Sequence, residues 1–337
     1  MKHLTICSTL LAAFALTACQ VPVGDKSAKV IDVLPAPSGY WDYATFDAPR
    51  HRVLIGRGDG VTELDVATRK TRHVAPGQKV HQVFALPDGR LLLTNGDRNA
   101  VTLADGATGA IQATLPVGAD PDAAILDPAS GDVFVMNNEG GDISVIDIAA
   151  NKVIGSVKVG AGLEGAAADG HGLLYVNAAD AAEIAVIDTR SRIVRTRYKL
   201  ANCQEPTGLA FVPNGRLLVS ACGNGHAKVL RADDGRELAD IAIGPHPDNV
   251  LYDANRGLVF IPSAGGLTKN GEITVLRVSD GGVVTLAQRI ATQRGARTAA
   301  EDPSTGRLYL PTATYKVSLD GKPQAVPGTF RILVVAP

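Results

Sequence analysis

The stretch that decides the fold runs from residue 133 to residue 147 and reads VFVMNNEGGDISVID. It holds two short apolar runs, Val133–Asn137 and Ile143–Asp147, joined by a segment rich in Asn and Gly. Apolar positions that recur with a period of two are typical of β-strands, and Asn and Gly favour tight turns. The stretch therefore predicts two antiparallel strands joined by a turn.

The same pattern returns along the chain at spacings of about 40 to 50 residues. Its first run begins at Val53, Leu91, Val133, Leu173, Leu217, Leu258 and Leu308. Turn residues precede most of these runs, and a second alternating strand and a last outer strand follow most of them. Four short antiparallel strands in a repeat of this length describe a propeller blade. The chain is therefore predicted to be all-β, with residues 29–337 forming one seven-bladed β-propeller.

The last repeat lacks an outer strand of its own. Residues 29–34, which read KVIDVL, precede the first repeat and resemble the outer strands of the other repeats. We expect this N-terminal strand to complete the last blade beside residues 330–335. The ring would then close without an open sheet edge.

Two of the repeats carry a family resemblance. Residues 134–137 (FVMN) and 175–177 (YVN), each followed by a strand that ends in Ile-Asp, resemble the YVTN-type repeat of YncE-like secreted propellers. The resemblance covers about residues 29–337 and implies a repeat scaffold of varied function, without a catalytic residue. Four repeats depart from the pattern, with Gly56, Ala221, Pro262 and Thr312 where the family has Asn.

Residues 1–18 have the character of a signal peptide, with a short basic start and an apolar run from Leu4 to Leu16. The following Leu16-Thr17-Ala18-Cys19 resembles the bacterial lipobox, which implies that Cys19 is lipidated; the alternative is an ordinary signal peptide that contains a Cys. Residues 19–28 are polar and are expected to form a tether. In the Gram-negative lipoprotein system that this segment resembles, a residue other than Asp after the Cys, here Gln20, favours transport to the outer membrane. The resemblance therefore implies an anchor on its periplasmic face, with membrane contact through the lipid alone.

Composition excludes several classes of function. With a formal net charge of -1 and 45% hydrophobic residues, the chain is neither disordered nor basic enough to favour nucleic acid. Aromatic residues make up only 4% of the sequence, which argues against sugar stacking. The sequence contains none of the usual hydrolase, nucleotide-binding or zinc-protease motifs. We expect the protein to be a monomer.

Loops that enter the innermost strands of a propeller surround the mouth of its central channel. One residue per blade falls at this place: Asp42, Gln82, Asp122, Glu164, Thr207, Asp248 and Arg297. Four carboxylates against one arginine predict a site for a metal, an amine or another cation. The alternative is a solvated polar ring in which the arginine balances an acid.

Two residues flank this ring. Trp41 is expected either to cover a bound ligand or to pack between blades. His81 is a candidate base or ligand, or an ordinary surface histidine.

Two cysteines remain beyond the N-terminal segment. Cys203 and Cys222 lie in loops on the same face as the ring, and outside the cytosol they are expected to form a disulfide. The alternative is a Cys2His2 metal site that also uses His226 and His246.

Two functions stay open at this point. The first is a lipoprotein that binds a small molecule or another envelope protein, with no cofactor and no catalytic residue; rigid rings with variable loops suit this role. The second is a hydrolase resembling propeller lactonases, in which the ring holds a divalent cation as Lewis acid and His81 acts as a base. Three ring oxygens at metal-bonding distance would favour the second, whereas a wide wet channel would favour the first.

Overall fold

The computed structural model describes residues 28–266, 270–318 and 323–336. It confirms a seven-bladed propeller in which every blade is a four-stranded antiparallel sheet. The predicted signal peptide and Cys19 lie outside the described residues, as does the tether apart from residue 28. The described ranges contain no helix with the length and apolar character needed to cross a bilayer.

The chain begins its fold with the strand β1 (Lys29–Pro35). Blade 1 consists of β2 (Trp41–Asp47), β3 (Arg52–Arg57), β4 (Gly60–Asp65) and β5 (Lys70–Pro76). Blade 2 consists of β6 (Val80–Ala85), β7 (Arg90–Asn95), β8 (Ala100–Asp105) and β9 (Ile111–Pro116). Blade 3 consists of β10 (Pro121–Leu126), β11 (Val133–Asn137), β12 (Asp142–Asp147) and β13 (Lys152–Lys158). Blade 4 consists of β14 (Leu163–Ala168), β15 (Leu173–Ala178), β16 (Glu183–Asp188) and β17 (Ile193–Lys199). Blade 5 consists of β18 (Pro206–Val212), β19 (Leu217–Cys222), β20 (His226–Arg231) and β21 (Glu237–Ala242). Blade 6 consists of β22 (Leu251–Asp253), β23 (Leu258–Ser263), β24 (Glu272–Val278) and β25 (Val284–Ala291).

Blade 7 is built from both ends of the chain. Its strands are β26 (Ala300–Glu301), β27 (Leu308–Thr312) and β30 (Arg331–Ala336), and β1 is the outer strand. The pairing of β1 with β30 is antiparallel and runs from Lys29 opposite Ala336 to Pro35 opposite Arg331. The predicted closure of the ring is therefore confirmed.

A small hairpin interrupts the last blade. The strands β28 (Tyr315–Val317) and β29 (Pro323–Ala325) pair with each other between β27 and β30 and belong to no blade. The repeat pattern did not predict this hairpin, because its strands are only three residues long.

The core of the ring lies between neighbouring blades. Phe134 and Val145 of blade 3, for example, pack in one cluster with Leu174 and Val176 of blade 4, and all four side chains are buried. Alternation along each strand gives every sheet apolar side chains for its neighbours on both faces. Closing the ring therefore gives blades 7 and 1 the same kind of shared core, which contains Leu34.

Blade 1 also holds a buried charge network around Arg52. The guanidinium Nε lies 2.8 Å from Asp47 Oδ2, and Nη1 lies 2.5 Å from Glu63 Oε2. Its Nη2 donates to the carbonyl oxygen of Gly106 in blade 2, at 2.7 Å. All three charged side chains are buried, and Glu63 also accepts hydrogen bonds from Arg72, so the network supplies the hydrogen bonds that water would otherwise provide.

Cys203 and Cys222 form the predicted disulfide, with their Cα atoms 5.3 Å apart. Both sulfurs are thereby used, so the alternative Cys2His2 metal site is not formed. His226 instead bonds through Nδ1 to Asp240 Oδ1 at 2.8 Å. The disulfide ties the loop that enters β18 to the end of β19, within blade 5.

We expect loss of this disulfide to destabilise the propeller, because the bond limits the freedom of the unfolded chain. Closing a loop of this length is worth about 3 kcal/mol on the chain-entropy model. Chemical denaturation of a Cys203→Ser/Cys222→Ser variant against the oxidised wild type would measure the difference. Alkylation of both cysteines in unreduced, denatured wild-type protein would contradict the disulfide.

Candidate functional site

The innermost strands of blades 1 to 5 share one irregularity at their first residues. The pairing register shifts between Trp41 and Ala44 in β2, Val80 and Val83 in β6, Pro121 and Ala123 in β10, Leu163 and Ala166 in β14, and Pro206 and Leu209 in β18. A β-bulge of this kind redirects the side chains of the unpaired residues. Five predicted mouth residues lie inside these bulges: Asp42, Gln82, Asp122, Glu164 and Thr207. One repeated backbone feature therefore positions most of the ring.

Three of the predicted residues come together in a cluster, namely Asp42, His81 and Asp122. The Nδ1 atom of His81 lies 2.7 Å from Asp42 Oδ2 and 3.0 Å from Asp122 Oδ1. One donor atom from each residue lies within 4.8 Å of the other two, and all three side chains are buried. The cluster thus offers two oxygens and one nitrogen to a common point.

Three neighbours that the sequence analysis missed surround this cluster. Asp120 Oδ1 lies 3.2 Å from the other ring nitrogen of His81, Nε2, and 3.0 Å from Lys79 Nζ. The Tyr40 hydroxyl donates to Asp42 Oδ2 at 2.5 Å. His81 is therefore held at both nitrogens, which fixes the plane of its imidazole.

The other charged members of the ring form separate pairs. Arg297 Nε lies 3.0 Å from Asp248 Oδ2, so the arginine balances the acid of the preceding blade. Asn138, which the sequence analysis did not select, donates through Nδ2 to Glu164 Oε1 at 3.0 Å. The charged ring residues thus fall into one cluster, in which Asp42 and Asp122 meet His81, and two flanking pairs.

The two uncharged ring residues bond to the backbone of the next blade. Gln82 Oε1 accepts a hydrogen bond from the backbone N–H of Ala124 at 2.5 Å. The Thr207 hydroxyl donates to the carbonyl oxygen of Pro247 at 2.8 Å. Both side chains therefore connect neighbouring inner strands, and these contacts give them a structural role.

Burial and mutual repulsion change the protonation of the ring. Burial raises the pKa of Asp122 well above its usual range, with the charge of Glu164 adding to the effect. Burial followed by the charge of Asp248 raises the pKa of Glu164 to about 8, and burial raises that of Asp248 to about 6. For His81, burial acts to lower the pKa, but the hydrogen bond to Asp42 and the surrounding acids raise it to about 9. The mouth therefore retains protons at neutral pH, which reduces the repulsion among its acids.

Tyr43 lies in the same bulge as Asp42 and has an unusual environment. Its side chain is only 5% exposed, and its hydroxyl has no hydrogen-bond partner within the described part of the chain. Burial raises the pKa of this hydroxyl well above the usual value, and the charges of Asp122 and Asp248 raise it further. Tyr43 also lines a cavity of about 160 Å³ in the channel, together with Asp248. A buried polar group without a protein partner is commonly satisfied by an ordered water, for which a polar cavity of this size has room.

A larger pocket opens on the same face, next to the ring. Its volume is about 1000 Å³, and its walls include Tyr40, Trp41, Tyr315, Phe330, Arg294 and Arg297. The ring of Trp41 packs against Phe330, with centroids 4.9 Å apart, and meets Tyr315 edge-on at 6.3 Å. Trp41 therefore both packs against its neighbours and lines a pocket. Tyr40 and Arg297 border the pocket and also bond to the ring acids, so the two regions are continuous.

Comparison with solved structures identifies the class of protein as a seven-bladed β-propeller that is structurally similar to WD40-type propellers. A chain in the crystal structure of a mitotic checkpoint complex matches with a TM-score of 0.75 and 16% sequence identity, over 98% of this chain and 99% of that chain. A chain of hydrazine synthase from Kuenenia stuttgartiensis matches with a TM-score of 0.57 and 20% identity, over 68% of this chain and 72% of that chain. At these identities the likeness concerns the fold alone. No family model and no curated protein matches the sequence.

Proposed function

We propose that this chain is a YVTN-type propeller lipoprotein that binds a small organic molecule at the mouth of its channel. The observation that carries the proposal is the pocket of about 1000 Å³ beside the ring. Ligand pockets are typically concave and mostly apolar, with a few placed polar groups, and reach this volume. The repeats with FVMN and YVN support the YVTN assignment.

The walls of the pocket define the kind of ligand. Trp41 and Tyr315 offer aromatic surface on which a planar apolar body packs, while Phe330 is buried behind Trp41 with Arg57 over its ring. Arg294 and Arg297 supply positive charge in the same wall, and the Arg297 side chain is 51% exposed. The pocket therefore suits an aromatic or other flat apolar molecule with an anionic group.

The proposed location is the periplasmic face of the outer membrane, with a lipid on Cys19. The support is the Leu16-Thr17-Ala18-Cys19 sequence after an apolar run, followed by Gln20. The disulfide between Cys203 and Cys222 adds to it, because such bonds persist in oxidising compartments. Mass spectrometry of the native protein purified from membranes would detect both the lipid and any bound molecule or envelope protein.

We expect Tyr315→Ala to weaken binding in the pocket by about tenfold, which corresponds to about 1.4 kcal/mol. Trp41 is the only tryptophan of the sequence and lines the pocket, so its fluorescence reports occupancy. A suitable probe is 8-anilinonaphthalene-1-sulfonate, an aromatic anion that quenches tryptophan emission by energy transfer. The measurement is a titration of Trp41 fluorescence with this probe.

The neighbouring residue in the same hairpin provides a matched control. Lys316 is exposed and does not line the pocket, so Lys316→Ala should bind the probe as tightly as the wild type. Equal affinity of the wild type and the Tyr315→Ala variant would show that the probe binds elsewhere. Absence of quenching in the wild type would count against the pocket as a ligand site.

The second candidate function is a metal-dependent hydrolase that resembles propeller lactonases. The observation that favours it is the convergence of Asp42 and Asp122 on His81, which a ring with one residue per blade does not by itself require. A cation held there would lie next to a pocket large enough for a substrate. The test is to measure the hydrolysis of simple lactones with and without added divalent cations. If no added cation gives hydrolysis, this function is rejected.

A further inference from the structure

The cluster at the channel mouth has the composition and geometry of a metal site. We infer that His81 Nδ1, one carboxylate oxygen of Asp42 and one of Asp122 bind a divalent transition-metal ion. These three donor atoms lie within 4.8 Å of one another and belong to buried side chains. The inference does not rest on the organic-ligand pocket, since no residue of that pocket is among the three ligands.

The orientation of His81 supports this assignment. Its Nε2 atom faces Asp120 Oδ1 at 3.2 Å, and Asp120 is itself held by Lys79 Nζ at 3.0 Å. Histidines that bind metals commonly donate their second ring nitrogen to a carboxylate, which fixes the tautomer and the ring plane. With Nε2 engaged by Asp120, Nδ1 is the nitrogen directed at the other two acids.

Admitting a metal requires the donor atoms to separate slightly, and it requires the Tyr40 hydroxyl, which lies 3.1 Å from His81 Nδ1 and 2.5 Å from Asp42 Oδ2, to move aside or to join the ligands. Asp42 Oδ2 and Asp122 Oδ1 lie 2.7 Å and 3.0 Å from His81 Nδ1. Ligands at about 2.1 Å from a tetrahedral ion are about 3.4 Å apart, so the donor atoms would separate by about half an ångström. Asp42 and Asp122 both lie in β-bulges, outside the regular ladder, where such a shift does not break strand pairing.

A buried polar group next to Asp42 in the chain also lacks a partner. Tyr43 is 5% exposed, and its hydroxyl has no hydrogen-bond partner among the residues described. It lines the cavity of about 160 Å³ in the channel, which none of the three proposed ligands lines. An ordered water in this cavity would satisfy the hydroxyl, so the metal assignment rests on the three donor atoms and on the orientation of His81.

The donor set also indicates the class of metal. Calcium and magnesium prefer sites made only of oxygen atoms. An imidazole nitrogen with two carboxylates suits Zn²⁺ and neighbouring transition metals instead. We therefore expect Zn²⁺ and Co²⁺ to bind in preference to Ca²⁺.

The test is metal binding by the full chain, purified in detergent and stripped with a chelator. Calorimetry should show that one equivalent of Zn²⁺ binds to the protein. Bound Co²⁺ should give the visible absorption bands that are typical of a site with a low coordination number. Asp122→Asn and Asp42→Asn should each weaken Zn²⁺ binding by about 100-fold or more, and Asp120→Asn by about 10- to 100-fold. Thermal unfolding of each variant checks that it remains folded.

Two control variants test whether Zn²⁺ binds at this cluster and not at another acidic residue or in the organic-ligand pocket. Asp59→Asn changes an exposed acid in the loop after β3 and should leave Zn²⁺ affinity unchanged. Tyr315→Ala should also bind Zn²⁺ normally, even where it loses the organic probe. The inference is overturned if the stripped wild type binds neither Zn²⁺ nor Co²⁺, or if folded Asp122→Asn binds Zn²⁺ as tightly as the wild type.

Discussion

A chain that begins at residue 36 is expected to lose the closed propeller, whereas a chain that begins at residue 28 should keep it. Removing β1 leaves β30 as an open edge and takes away Leu34, which is buried in the core shared by blades 7 and 1. Burying one leucine contributes about 2 kcal/mol, and each lost backbone hydrogen bond about 1 kcal/mol. The sum, about 5 kcal/mol or more, is comparable to the whole stability of many domains.

Soluble yield and chemical denaturation of the two truncated chains would measure this effect. A synthetic peptide with the sequence of residues 29–35, KVIDVLP, offers a rescue experiment. Added to the shorter chain, it should pair with β30 and restore a cooperative unfolding transition. Equal denaturation midpoints for the two chains would show that β1 does not hold the ring together.

Arg52→Met is expected to cost about 3 kcal/mol or more of unfolding free energy, because it removes the cation from a buried ionic network. Asp47 would lose its 2.8 Å contact and Glu63 its 2.5 Å contact with the guanidinium. Among the residues described, Asp47 would keep the partly exposed Arg50 at 3.5 Å as an ion-pair partner, and Glu63 would keep Arg72 at 2.8 Å. The measurement is the midpoint and slope of urea denaturation.

Arg69→Met is the matched control for this substitution. Arg69 also pairs with an acid, Asp32, but its side chain is 57% exposed. Surface pairs of this kind contribute about 0 to 1 kcal/mol, so the control variant should stay close to the wild type. Adding Asp47→Asn to Arg52→Met should recover part of the loss, since it removes the charge of the acid that would be left with the weaker ion pair. If Arg52→Met and Arg69→Met lowered the free energy of unfolding by the same amount, the proposed importance of the buried network would be contradicted.

Most of the fold follows from short-range patterns in the sequence. Alternating runs such as residues 143–147, bounded by Gly and Asn, predict strands because each side of a blade packs on a neighbour. The closure by β1 was predictable because the last repeat lacks a fourth strand of its own. The hairpin of β28 and β29 was not predictable in this way, since strands of three residues carry too little alternation to be recognised.

The candidate site was predictable only as a ring with one residue in each blade. Blade spacing selects the position of Asp42 or Asp122, but the direction of the side chain depends on the β-bulge, which the sequence pattern does not reveal. The convergence on His81 and the pairing of its other nitrogen with Asp120 therefore needed coordinates. Tyr43 flanks Asp42 but was not selected as a site residue, because an aromatic residue at this position resembles an ordinary core residue in the sequence.

The two ends of β1 have a consequence for how the propeller faces its surroundings. Pro35 leads through Ser38 and Gly39, which line the pocket, whereas Lys29 lies at the far end of the strand, opposite Ala336. Seven residues at about 3.3 Å each separate these ends by roughly 20 Å. A chain arriving from Cys19 thus joins the disc on its rear side, and residues 19–28 span about 35 Å at full extension. With the proposed lipid on Cys19, the tether would attach on the side of the propeller opposite the pocket and would leave the pocket uncovered.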